Sequence, residues 1–418
     1  MYYHVIVYGC QMNISDSERV SAVLESLKYK KTSSINEADL IAVVMCSIRQ
    51  SAVNRVDGLT NKFKIFKKSN PRLTTILTGC VLKKDKRAFA EGFDHVVDIK
   101  DIKKIPKILG KKHKIHNENY LDITPKYSSK FSAMVPIMTG CNNFCAYCVV
   151  PYVREREISR PAKEIISEVK SLIKNGYKEI WLLGQNVNSY KDGDIDFPKL
   201  LKMVNNIPGE FWIRFTSSHP KDFNNEVISA MAEGGHITPY LNLPIQSGDD
   251  KVLKSMNRHY TVKEYKNKIK ALRKKIPGIC LSTDIIVGFP GETKIQFENT
   301  ARLVDDIKYD MVYINKYSKR AGTAAAKLKD NVSVEEKKRR ERALNEVLKK
   351  TALEKNKKFV GKETTVLIDS NKENIWYGKS EHYKTVQIKS DKNLLGKFIK
   401  VKITEALIWS LRGRLINE

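Results

Sequence analysis

The stretch GCNNFCAYC, residues 140–148, sets Cys141, Cys145 and Cys148 in one loop and supplies no fourth Cys or His close behind them. A closed structural zinc site takes four ligands, commonly two CxxC pairs that stand far apart in the chain. Three thiolates from one short loop suit a cubane iron–sulfur cluster with one iron left open. An open iron can chelate the amino and carboxylate groups of a bound molecule, so the missing ligand marks a working position. Such a loop needs a rigid support, and AMVPIMT (133–139), directly before it, reads as a strand.

Three further cysteines share a pattern of their own. Cys10, Cys46 and Cys80 each fall on the last residue of a predicted strand: HVIVYGC (4–10), DLIAVVMC (39–46) and TTILTGC (74–80). In an open parallel sheet such strand ends line one crevice, so cysteines far apart in sequence can meet there. The alternative is three buried thiols acting as small hydrophobes, a common fate of free cysteine. Cys280 precedes an apolar strand without a partner in sequence and reads as core packing. Seven cysteines in 418 residues do not suggest a disulfide framework.

The chain divides into three parts. Residues 1–100 alternate strands and helices, with HVVDI (95–99) as a further strand, and predict an open α/β sheet in a domain of residues 1–115. Residues 100–130, lysine-rich with Pro106 and Pro125, read as a linker with a short hairpin. Residues 127–357 carry a second α/β series. Its strands are AMVPIMT, EIWLLG (179–184), WIRFTSS (212–218), YLNLPI (240–245), LSTDIIVGF (281–289) and MVYINKYS (311–318). Six βα units suggest an incomplete parallel barrel with its chemistry at the carboxyl ends of the strands. A long basic helix over 333–359 follows, opened by the capping-box pair Ser333 and Glu336. Residues 358–418 switch to short alternating strands punctuated by glycine and predict a small all-β barrel.

Composition adds a partner. Lys+Arg exceeds Asp+Glu by 75 to 47, a net charge of +28, which favours a polyanion through release of condensed counterions. Lysine excess can equally be a solvated surface. The KKRRER run (337–342) and Trp376, Tyr377, Tyr383 and Trp409 among the lysines of the terminal barrel are candidate RNA contacts, since unpaired bases stack on aromatic rings. Arg154, Arg156 and Arg160 read either as phosphate contacts or as ion-pair partners of Glu155 and Glu157. No apolar run approaches a membrane span and no leader-like layout opens the chain, so a cytoplasmic protein is expected.

These motifs resemble the radical S-adenosylmethionine (SAM) methylthiotransferases over essentially the whole chain. YGCQMNISDSE, CSIRQSA and TGCV are similar to that family's N-terminal domain, GCNNFCAYCVVPY and REISRP to its radical SAM core, and the C-terminal segment to its RNA-binding TRAM barrel. LLGQNVNSY (182–190), RFTSSHP (214–220), LPIQSGDD (243–250) and IIVGFPGET (285–293) look most like the branch acting on N6-dimethylallyladenosine beside the tRNA anticodon. Where the family usually has glycine, this chain has Glu155.

The resemblance implies two [4Fe-4S] clusters and SAM. Cys141, Cys145 and Cys148 would hold the cluster that binds and reductively cleaves SAM to a 5′-deoxyadenosyl radical. Cys10, Cys46 and Cys80 would hold a second one that carries the sulfur. An unactivated aromatic C–H has no acidic proton for a side-chain base, which makes a radical the workable route. For the SAM pocket the resemblance and the strand ends point to Tyr147, Gly184, Gln185, Asn188, Ser217, Ser218, Gly288, Gly291 and Glu292. Implied partners are the tRNA anticodon stem-loop, a low-potential electron donor and a sulfur donor, with the enzyme acting as a monomer. Rival readings are methylthiotransferases acting on threonylcarbamoyladenosine or on a ribosomal-protein aspartate, and an RNA-binding protein with structural metal and no catalysis.

Overall fold

The computed structural model describes all residues except 48–49, 114, 116–118 and 417–418. It contains two compact units, the first made of residues 1–129, 134–160 and 320–323, the second of 130–133, 161–319 and 324–418.

The first unit is built on a five-stranded sheet in the order Lys30–Lys31, Tyr2–Tyr8, Leu40–Cys46, Thr74–Cys80, His95–Val96, with every pairing parallel. LIAVVMC is apolar throughout because both faces of its strand are covered. Leu40, Ala42 and Val44 pack with Val20, Val23 and Leu24 of helix Gln11–Ser26. Ile41, Val43 and Met45 pack with Val56, Leu59 and Phe63 of helix Gln50–Ser69. Period-two alternation thus divides one run between two cores.

Residues 100–130 depart from the expected linker. Ile99–Lys104 and Ile105–Ile108 form successive helical turns, and Ile99, Ile102, Ile105, Tyr120, Leu121 and Ile123 join the first core. The signal was isoleucine at every third position within a lysine-rich stretch, which buries one stripe and leaves lysines in solvent. The expected hairpin falls partly on 114 and 116–118, outside the described residues.

In the second unit one sheet has the order Trp212–Phe215, Glu179–Leu183, Ser132–Pro136, of whose last strand only residues 132–133 fall in this unit, and another Tyr240–Asn242, Cys280–Val287, Met311–Lys316. The described pairings are parallel, and a single parallel bridge joins Ile213 to Ile237 beyond the first sheet. Helices such as Ala162–Lys174, Val262–Lys275 and Lys294–Ile307 follow the strands, giving the expected partial barrel of six βα units. The predicted strands are trimmed at their ends, as in YLNLPI, where the ladder covers only Tyr240–Asn242. Cys280 lies in the core as expected, with its sulfur 3.2 Å from Asp310 Oδ1, and burial pushes its thiol pKa up.

Helix Val334–Lys357 starts at Ser333, whose hydroxyl accepts from Glu336 N at 3.1 Å. The reciprocal half of the capping box does not form, because the Glu336 carboxylate binds Arg339 and Arg340 instead. The last five strands, Glu363–Lys372 to Leu411–Leu415, close into a barrel around Val366, Ile368, Val386, Ile388, Val401, Ile403 and Leu411. Arg214 binds this barrel within the unit. Its guanidinium donates to Ser380 O (2.8 Å) and Glu381 O (3.0 Å) while paired with Glu179 at 2.7 Å. Tyr383 stacks near it, 4.5 Å from the Tyr240 ring and 5.0 Å from the Arg214 charge. That ring is committed to internal packing and is not the open base-stacking platform the sequence suggested.

Candidate iron–sulfur and SAM site

Within the first unit Cys46 and Cys80 are register partners at the ends of adjacent strands. Cys10 lies two residues past its strand, as the N-cap of helix Gln11–Ser26, so the predicted strand end at Cys10 is corrected to Tyr8. Asn13 ties the three segments together. Its side chain, fully buried, accepts from Cys10 N at 3.2 Å, donates to Met45 O at 3.2 Å and stands 3.9 Å from the Cys80 sulfur. Asn13 was not singled out from sequence, although it sits inside the GCQMN motif. Gly79 permits the approach: φ is +105°, and a Cβ there would lie 2.4 Å from Met45 O. The Cys80 thiol is pulled below its ordinary value, first by its hydrogen bond with Cys46 and further by the charge of Arg154.

The second trio lies in the same unit, in the loop between the paired strands Met138–Thr139 and Ile158–Ser159. Cys141 and Cys145 are buried and Cys148 is half-buried; burial raises the Cys141 thiol to about 11. The loop is fastened at its base. Cys141 N donates to Glu155 O at 3.1 Å, and Asn142 donates twice to the Glu157 carboxylate, at 3.1 and 3.3 Å. Gly140 has φ +81°, and a Cβ would fall 1.9 Å from Arg156 O. Among the described residues no group of three or more His, Cys, Asp or Glu is placed to hold a metal ion. In donor type, though not by any measured spacing, each trio supplies the cysteine sulfurs that an iron–sulfur cluster takes.

Glu155 and Glu157 bind partners other than these arginines, and Arg154 and Arg160 are buried, whereas Arg156 is exposed. Arg154 is paired with Asp16, Glu155 with Lys100, and Glu157 with Asn142. Arg156 lies over the Phe144 ring at 4.7 Å, and Arg160 donates to Pro136 O at 2.8 Å. Glu155 takes φ +63°, the left-handed region that glycine occupies freely, so the glycine expected here from the resemblance would suit this backbone. Glu155→Gly should change stability by less than about 1 kcal/mol. Relief of about 1–2 kcal/mol of left-handed strain is offset by glycine's chain entropy and loss of the exposed Lys100 pair. Thermal unfolding and iron content check this; a loss of bound iron would show that the carboxylate, not the backbone, matters.

The residues expected to bind SAM lie mostly in the second unit, at its strand ends. Gly184, Gln185 and Asn188 follow Glu179–Leu183, and Ser217 (φ +66°) and Ser218 follow Trp212–Phe215. Gly288, Gly291 and Glu292 follow Cys280–Val287, and Tyr147 is half-buried in the cysteine loop of the first unit. Around the first two strand ends, five buried atoms lack a hydrogen-bond partner: Gln185 Oε1, Asn186 Oδ1, Asn188 Nδ2, Ser218 Oγ and His219 Nε2. Each such atom costs about 1–3 kcal/mol unless a ligand or water satisfies it. Their orientations are fixed by neighbours. Asn186 Nδ2 donates to Asp222 at 2.7 Å, Asn188 Oδ1 accepts from His219 N at 3.0 Å, and His219 Nδ1 accepts from Lys221 N at 3.2 Å. Burial, helped by Arg258 and Lys221, pushes His219 down to about 2, so the ring is neutral and carries its proton on Nε2. A mixed array of donors and acceptors fits the hydroxyl, amino and carboxylate groups of SAM. Asn186 and His219 were missed, though both stand inside the quoted motifs GQNVN and SSHP.

The Gly288–Glu292 loop is clasped to the long helix. Glu292, nearly fully buried, accepts from Gly288 N and from Arg340, both at 2.6 Å. Lys337, also buried, pairs with Asp330 at 2.6 Å. Two of the basic residues proposed for RNA are therefore structural, whereas Lys338 and Arg342 of the same run are exposed. In the terminal barrel Trp376 packs against the core and donates to Ser390 O at 3.0 Å, while Trp409 is exposed.

The chain is similar to known proteins along its whole length. Residues 135–304 match the radical SAM superfamily, residues 2–99 an uncharacterized protein family, UPF0004, and residues 357–416 the TRAM domain. A tRNA-2-methylthio-N(6)-dimethylallyladenosine synthase of Dictyoglomus thermophilum is 43% identical, over 100% of this chain and 99% of that one. A protein of the same name from Thermoanaerobacter sp. is 42% identical over 100% and 93%. Among solved structures, the radical SAM methyltransferase TsrM of Kitasatospora setae superposes with TM-score 0.55 at 12% identity, over 78% of this chain and 77% of that one. That likeness speaks for the fold alone. Among the described residues no helix is long and apolar enough to cross a membrane. Near-complete coverage by relatives of one name, joined to the radical SAM and TRAM matches, shows that the chain belongs to the tRNA-2-methylthio-N6-dimethylallyladenosine synthase family of radical SAM enzymes.

Proposed function

We propose that this chain methylthiolates carbon 2 of the adenine ring in N6-dimethylallyladenosine next to the tRNA anticodon, using SAM and two [4Fe-4S] clusters. The observation that carries the reading is the presence of two separate three-thiolate sets on one compact unit. One set would suffice to bind and cleave SAM; the second gives sulfur insertion a place to occur. Cys141, Cys145 and Cys148 hold the cluster that meets SAM, and Cys10, Cys46 and Cys80 hold the auxiliary one. When bound, SAM and the clusters supply the hydrogen-abstracting radical, the methyl group and the sulfur-carrying iron.

The protein's part is to bind and orient. Gln185, Asn188 and Ser218, joined by Asn186 and His219, offer SAM the polar atoms that lack partners, and Gly184 and Ser217 stand beside them at the same strand ends. Tyr147 contributes from the cysteine loop. Gly288 and Gly291 shape the loop beside the cofactor, their N–H groups donating to Glu292 and Asn331, and Glu292 holds that loop through Arg340. The division of labour follows residues 1–115 for the auxiliary cluster, 127–357 for the radical core and 358–418 for the TRAM barrel. The barrel and the exposed positive charge hold the anticodon stem-loop, which agrees with the net charge of +28. A monomer working in the cytoplasm, served by a low-potential electron donor and a sulfur donor, completes the scheme.

Anaerobic purification tests it. The expected protein is brown, carries about eight irons, two cubanes' worth, and forms 5′-deoxyadenosine from SAM and a chemical reductant. A colourless zinc protein without SAM cleavage would overturn the reading in favour of a structural-metal RNA binder.

A further inference from the structure

Arg154 follows helix Val150–Val153, a few residues beyond Cys148, and its side chain is only 2% exposed. Each of its three nitrogens has a separate partner. Nη2 donates to the Asp16 carboxylate, itself buried, Nη1 to the Tyr120 hydroxyl at 3.0 Å, and Nε to the Cys80 sulfur at 3.0 Å. Burying an ion pair costs several kcal/mol per ion before its attraction is counted. Asp16 neutralises the guanidinium from one side and Tyr120 occupies a second, leaving the Nε edge aimed at a sulfur. That sulfur belongs to the Cys10, Cys46, Cys80 trio, whereas Arg154 is carried by the chain leaving the other trio. One guanidinium thus joins the two sets.

We propose that Arg154 is a positioning residue for the auxiliary cluster. Its Nε–H bond to the Cys80 sulfur and its charge raise that cluster's reduction potential, while fixing the GCNNFCAYC loop against the strand end that bears Cys80. The inference rests on Cys10, Cys46 and Cys80 holding a cluster. Reduction adds negative charge to the cluster, and hydrogen bonds and positive charge at its sulfurs favour that state. Asp16 and Tyr120 act through Arg154 by setting which edge it presents.

The test uses the full-length chain with Cys141, Cys145 and Cys148 all changed to alanine, reconstituted with iron and sulfide, so that only the auxiliary cluster is observed. A dithionite titration followed by electron paramagnetic resonance gives the oxidised-to-reduced ratio at each potential. In this background Arg154→Met should lower the reduced-to-oxidised ratio at fixed potential at least about tenfold, or 59 mV for one electron. Arg154→Lys, keeping the charge but not the three-way geometry, should recover part of the shift. Because Arg154→Met leaves Asp16 unpaired, Asp16→Asn/Arg154→Met is the second variant, and it should shift in the same direction through loss of the N–H to sulfur bond. Full iron loading with an unchanged potential in both variants would overturn the proposal and leave a purely structural ion pair. Absence of any cluster from the triple-alanine parent would instead overturn the assignment of the second trio, and the inference with it.

Discussion

Cys145→Ala is expected to abolish 5′-deoxyadenosine formation, whereas Cys46→Ala spares part of that reaction and abolishes methylthio product. The asymmetry follows from position. Cys145 is buried in the loop with Cys141 and Cys148, and a cubane held by three thiolates has no spare ligand to lose. Cys46 is paired in register with Cys80 on the sheet of the first unit, and among the described residues no backbone bond of the cysteine loop is made by its strand. Product should fall by more than about a hundredfold in both variants, beyond the 10–100-fold typical of losing an outer partner of a metal ligand. SAM cleavage, measured without tRNA, separates them: none in Cys145→Ala, a measurable fraction in Cys46→Ala. Complete loss of cleavage in both would remove the division of labour between the trios.

Much of this arrangement is legible in the residues, for reasons that differ by element. TTILTGC occupies Thr74–Cys80 as read, because a β-branched run between turn residues leaves few alternatives. The cysteine loop is local, so its spacing alone points to its chemistry. The sheet cysteines required a guess at topology, and a parallel sheet does place Cys46 opposite Cys80, while Cys10 slips past its strand to cap a helix.

What stayed hidden depends on distant contacts. Arg154 and Asp16 are separated by 138 positions, and nothing local distinguishes Arg154 from the exposed Arg156 beside it. Tyr383 reads as one more aromatic among lysines until the barrel wall bearing Tyr240 and Arg214 packs against it. KKRRER reads as a basic patch, yet helical periodicity turns Lys337 and Arg340 inward to bind Asp330 and Glu292. Residues 100–130 look like a linker because lysines dominate their composition, although the isoleucine spacing fixes them to the core. Charge composition describes the solvent side of an element, and periodicity identifies the side that packs.

The nucleoside digest of tRNA tests the central claim most directly. The chain is expressed in a host that makes N6-dimethylallyladenosine but lacks its own methylthiolating enzyme, and digested tRNA is examined by mass spectrometry. The account predicts that 2-methylthio-N6-dimethylallyladenosine appears while its precursor declines, and that neither change occurs with Cys46→Ala. An undiminished precursor with no methylthio product, or a methylthio group on threonylcarbamoyladenosine instead, would contradict it.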